Sequence, residues 1–188
     1  MPQSQKTVIT LGLCQIKVGE VVTDATTGEA TGAMPQSMAK IGKTYKDTAK
    51  IGQDASDVTE HFEEGHSAPE VRKKSKKIPK VTFSIMNPDP TMLAAYIGGS
   101  VDSTSGAWLF DGDEVVANKA ILVETEQGLD FEIPNGDIEA VINGDLSTSG
   151  IVLVDFTVTP CAVSDSAKKA IHAVPKAESS NTPANPNP

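Results

Sequence analysis

Residues 151–160, "IVLVDFTVTP", constrain the fold more than any other stretch. Val152, Val154, Phe156 and Val158 recur at every second position, with Ile151, Leu153, Asp155, Thr157 and Thr159 between them. A period of two sends alternate side chains to opposite faces of a strand, so this segment must lie in a sheet with one face on a core. The pattern repeats upstream. Leu129, Phe131 and Ile133 alternate with Asp130 and Glu132, and Ile138, Ala140 and Ile142 alternate with Asp137, Glu139 and Val141. Val81, Phe83 and Ile85 alternate with Lys80, Thr82 and Ser84, residues 115–124 read as a long strand, and Cys14, Ile16 and Val18 mark a first strand over 11–18. Pro134-Asn135-Gly136 and Asn143-Gly144 read as turns. Strands spaced about ten residues apart with turns between them predict a mainly β chain, a β-sandwich or barrel.

One segment breaks the β pattern. After Phe83 and Ile85, Pro88 and Pro90 cannot donate to a ladder, so the strand ends near Met86. Asn87 or Asp89 can cap a helix over about 90–97, with Met92, Leu93, Tyr96 and Ile97 at helical spacing and Gly98-Gly99 to close it. Isolated helices below roughly 12–15 residues are marginal in water. This one must therefore flank a sheet.

The 188 residues suit one domain. Two long extended loops are expected inside it. Residues 19–37 have no periodic apolar set and are expected to be mobile or ordered only by a partner. Residues 42–77 are poor in apolar residues, and 40–50 is expected to form an exposed strand pair with 58–63. The domain is placed at 1–174, and the Pro/Asn-rich 175–188 is expected to be a flexible tail.

Charge and composition exclude several classes. The net charge is −9, but residues 81–165 hold one Lys against fourteen Asp and Glu, while residues 1–80 are slightly basic. So acidic a half is unsuited to gripping phosphate backbones, though the same bias also serves solubility. Aromatic residues are only 4% of the chain, which counts against stacking platforms for sugars or bases. The basic run 72–80, "RKKSKKIPK", follows the acidic positions Asp54, Asp57, Glu60, Glu63, Glu64 and Glu70. Alone it reads as a nucleic-acid patch or a solvated loop. Taken with the acidic run, it can guide register between stacked copies.

Chemical motifs are sparse. There is no phosphate-binding glycine loop and no G-x-S-x-G elbow. His61 and His66 are five apart, which suits neither a helical zinc motif nor one strand face. Asp137 and Glu139 share a face as a glycosidase pair would, but no convergent pocket groups accompany them, so a solvated acidic face is the favoured reading. Cys14 and Cys161 lack metal-ligand spacing and are expected to be reduced core residues, with a cross-strand pair as the alternative. No enzyme activity, cofactor or metal is expected. The N-terminal residues do not read as a secretory signal and no run suits a membrane span, so a cytoplasmic origin is expected.

The layout resembles the major tail proteins of bacteriophages. The resemblance rests on the long loop after the first strand, "VTFSIMNPDPTMLAAYIGG" at 81–99, and the closing pair "DIEAVINGDL…GIVLVDFTVTP", and covers roughly residues 11–160. It extends more loosely to inner-tube proteins of contractile injection machines. It implies a structural virion protein, a tail-tube subunit in stacked homo-hexameric rings around a lumen that passes DNA without specific binding. Other tail proteins would be its partners, the virion tail its location, and the host cytoplasm its place of assembly. Under that resemblance Asp137, Glu139 and Asp155 face the lumen, and six copies bring about −54 charges to a ring. Tyr45, Asp54, Glu60, Glu63, Arg72, Lys73, Lys74, Lys76 and Lys77 become the expected contacts between subunits or rings. The alternatives are a head decoration or tail-completion protein of sandwich build, or a non-viral binding module.

Overall fold

The alternating segments form strands, and their ladders are antiparallel. The computed structural model describes residues 9–165 and 167–176. Its strands are β1 (Leu11–Glu20), β2 (Ala39–Lys40), β3 (Lys50–Gly52), β4 (Asp57–His61), β5 (Val71–Ser75), β6 (Lys80–Ile85), β7 (Ser100–Val101), β8 (Trp108–Leu109), β9 (Ala117–Gln127), β10 (Leu129–Gly144), β11 (Val152–Pro160) and β12 (His172–Pro175). One helix, α1 (Pro90–Tyr96), follows β6. The main sheet has the order β2-β1-β9-β10-β11-β6-β3, with β12 added to β10. The protein is mainly β with one short helix, as the alternation predicts.

The core lies on the inward side of this sheet. Ile16, Val81, Phe83, Ile85, Ile121, Ile133, Ile138, Val154, Phe156 and Val158 are buried there. Phe83 and Phe156, cross-strand partners on β6 and β11, stack with ring centroids 5.1 Å apart. Tyr96 of α1 meets Phe156 edge-on at 5.4 Å. Asp89 caps α1 by accepting a hydrogen bond from the Met92 N–H at 2.8 Å, and Met92, Leu93, Tyr96 and Ile97 pack on the core. The helix thus flanks the sheet as its length required.

The chain between β2 and β3 turns the open sheet toward a barrel. The Ile41 N–H donates to the Ile16 carbonyl, the Met86 N–H to that of Lys43, and the Tyr45 N–H to that of Ser84. Asn87 accepts from the Lys43 N–H at 2.7 Å. Residues 39–45 therefore bridge β1 to the far end of β6. β2 pairs with β1 only at Lys17 and Val18, so among the described residues no strand covers the outer edge of 11–15.

Several expectations need correction. Pro134-Asn135-Gly136 is not a turn. The three residues are buried inside β10, where the β9 ladder shifts register and the pairing on the other side passes from β12 to β11. Proline gives up one ladder bond at such a bulge, and Gly136 lets Val158 approach to 2.7 Å from where a Cβ would sit. Residues 40–50 do not pair with 58–63; β4 pairs with β5 instead, and residues 50–52 pair with β6. The stretch 19–37 is folded within the single chain. Asp24 caps its turn through the Thr26 and Thr27 N–H groups, Thr23 bridges Ala30, and the Ser164 N–H donates to the Ala30 carbonyl. Polar side chains and a distant segment order it without an apolar set. Cys14 is exposed and Cys161 half-buried, and both are free thiols rather than core residues. A bulge between Leu13 and Gln15 breaks the alternation and turns Cys14 outward. The tail placed at 175–188 starts inside β12, and 177–188 fall outside the described residues.

Candidate assembly surfaces

The first surface is an arm. Residues 53–79 leave the body at Gly52 and return at Lys80, which are cross-strand partners. Within the arm, β4 and β5 pair from Asp57 opposite Ser75 to His61 opposite Val71. Every residue of both strands is exposed, and among the described residues no other element packs on either beyond an isolated contact. Phe62 at the tip is 54% exposed, and Val58 and Val71 are likewise open. A lone hairpin is marginal in water, and this one is reinforced by ion pairs. Arg72 meets Glu60 at 2.8 Å, and Lys77 meets Asp57. The hydrogen bond to Asp57 raises the Lys77 pKa above the ordinary lysine value.

The basic and acidic runs thus pair partly within one copy, through register that the sequence alone does not reveal. Lys73, Lys74 and Lys76 form no ion pair among the described residues, and Asp54 is exposed at the arm's base. Glu63 joins His66 at 3.5 Å, and Glu70 completes an exposed group whose ligand atoms lie within 4.8 Å of one another. The five-residue spacing set His66 apart from His61, and the tip turn brings it to the two glutamates instead.

The second surface is the polar face of β10, β11 and β6. Asp137 lies opposite Thr159, Glu139 opposite Thr157, and Asp155 opposite both Val141 and Ser84. The register therefore gathers all three carboxylates on one face. Asp137 and Glu139 are exposed. Asp155 is half-buried and engaged, accepting from the Ser84 hydroxyl at 2.5 Å and from the Asn143 amide at 2.7 Å.

The third surface was not legible in the sequence. The uncovered edge of β1 faces β3 and residues 43–47 across a cleft of about 670 Å³. Lys40, Lys43, Lys46 and Lys50 line it, against Asp47 and Glu126. None of the four lysines pairs with a carboxylate among the described residues. Tyr45 and the exposed thiol-bearing Cys14 lie on the same walls. Asp47 has φ +62°, a left-handed conformation that costs a non-glycine residue energy. Thr44 also lines the cleft, and its buried hydroxyl has no hydrogen-bond partner among the described residues. Four lysines in eleven residues was the available signal, masked by the near balance of charge over 1–80. Beside the cleft, Glu124 accepts from Lys17 at 2.5 Å and Gln15 at 2.6 Å, and the Lys17 bond foremost holds its carboxyl below the usual range.

A smaller apolar patch sits beyond α1, where Trp108 stacks on Phe110 at 5.3 Å and donates its indole N–H to the Gly98 carbonyl. Among the described residues no helix is long and apolar enough to cross a membrane. No protein-family model matches the chain, and no curated protein matches it.

Proposed function

We propose that the chain is a structural subunit that assembles with copies of itself, in the manner of a phage tail-tube protein, into stacked hexameric rings around a channel that passes DNA. The observation that carries this reading is the arm. A hairpin exposed on both faces, with open Val58, Phe62 and Val71, gains its missing contacts when another subunit covers it. The acidic face fits the same reading. Turned to the channel, Asp137 and Glu139 repel phosphates and keep DNA from adhering in transit. The role is mechanical and calls for no catalysis.

Negative-stain electron microscopy of the purified full chain over a rising concentration series tests the proposal. Rings or tubes with a central channel are expected. A species that stays monomeric at the highest concentration would overturn it.

A further inference from the structure

The lysine-lined cleft stands out in a chain of net charge −9. Its lining is basic by two charges, and its walls include Leu13, Ile51 and Phe131 beside the lysines. Two strand edges border it: residues 11–15 of β1 and the outer side of β3, each without a strand partner among the described residues. Such a site suits an acidic polypeptide segment with an apolar anchor, held by charge, by main-chain bonds to an open edge and by burial of the anchor.

The chain carries such a segment. At the arm tip, Phe62 is followed by Glu63 and Glu64, and the bond from the Glu70 N–H to the His61 carbonyl brings Glu70 beside them, while Glu60 is already paired with Arg72. We propose that the cleft of one subunit receives the acidic arm tip of a second copy, an inference that rests on the self-assembly reading and names its acceptor site. The arm does not enter its own cleft: none of residues 53–79 lines it. Thirteen residue steps separate Gly52 from Gly65 at the tip, at most about 40 Å at ~3.3 Å per residue. Lys50 and Ile51 on the cleft wall adjoin the arm's base. Tip and cleft thus lie at opposite ends of the arm. Because tip and cleft are different surfaces, their contact propagates from copy to copy when it runs head-to-tail, the arrangement that stacking needs, and closes a pair only when two copies exchange arms. The basic partner of the acidic run is then the 40–50 segment, while Arg72 and Lys77 serve the arm internally.

Cys14 supplies a native probe on the cleft wall. Glu64→Cys and Ser67→Cys are introduced separately into the full chain carrying Cys161→Ser, and the protein is mildly oxidised under assembling conditions. A disulfide forms only when the two Cα atoms come within about 7 Å. The expected result is a disulfide-linked ladder of dimers and higher species for at least one variant, abolished by Cys14→Ser. In parallel, Lys43→Glu with Lys46→Glu should raise the concentration needed for assembly by about tenfold or more, and added Glu63→Lys with Glu64→Lys should restore much of it. Assemblies that show no cross-link at either position, a link that survives Cys14→Ser, a link confined to the monomer, or indifference to the charge reversal would each overturn the proposed acceptor. Failure of the unmodified chain to assemble would instead remove the reading beneath it.

Discussion

Removing the arm should leave the body intact and end assembly. Gly52 and Lys80 already face each other across β3 and β6, so a four-residue turn containing Asn-Gly can replace residues 53–79. The body loses little. Both arm strands are exposed throughout, and the bond from the Gln53 amide to the Lys77 carbonyl is removed together with the arm. The connection between β3 and β6 shortens from 27 residues to about four, and loop-closure entropy scales as (3/2)RT ln n. The gain is at most about 1.7 kcal/mol, less to the extent that the β4–β5 pairing already draws the ends together. For a chain of this size about 1 kcal/mol moves Tm by roughly 2–4 °C. The expected Tm change is therefore between zero and about +7 °C, measured by scanning calorimetry or circular dichroism. Sedimentation velocity on the same sample should show monomers at concentrations where the full chain assembles. A Tm lowered by more than about 4 °C would mean that the arm supports the body, and the inference from its exposure would fail. Unimpaired tubes would show that assembly uses other surfaces.

Phe156→Ala removes both the stack on Phe83 and the edge contact with Tyr96, and should cost about 3–5 kcal/mol in urea unfolding; a cost below about 1 kcal/mol would show that the helix and sheet repack without it. The Glu124 carboxyl is held below its unfolded value near 4.5, so its contribution is fully present above that pH and is lost as pH falls through the lower folded value. Glu124→Gln should flatten the acid limb of the urea midpoint below pH 4.5, and an unchanged limb would remove the argument. Asp137→Lys with Glu139→Lys should leave Tm within about 4 °C, because each exposed substitution usually stays within about 0.5 kcal/mol, and should make assembled tubes retain DNA at low salt but not at high salt. Asp155→Lys should lower Tm by several degrees, since its carboxylate accepts from both Ser84 and Asn143; equal behaviour of all three positions would refute the distinction.

Local pattern alone determined much of the fold. Alternation over 80–85, 129–133, 137–142 and 151–159 specified strands, and over 80–85, 137–140 and 152–158 their buried faces as well, because side-chain direction in a strand depends only on the parity of position; Ile142, expected inward, lies beyond the core and is exposed. Asp89, Pro90 and Gly98-Gly99 located the helix for an equally local reason: caps and proline act within one turn. Distance along the chain hid the rest. A Pro-Asn-Gly run suits a turn or a bulge, and the choice fell to β9, β11 and β12, which bracket β10 on both sides. The charge runs were visible, but register paired Glu60 with Arg72 inside one arm and left the lysines of 40–50 around a cleft. Asp137, Glu139 and Asp155 were each legible as outward-facing; only the pairing of β10 with β11 put them on one face, and only Ser84 and Asn143 set Asp155 apart. Pairing energy comes from contacts between residues remote in sequence, so a periodic pattern specifies what each strand can bury, and tertiary structure decides what lies beside it.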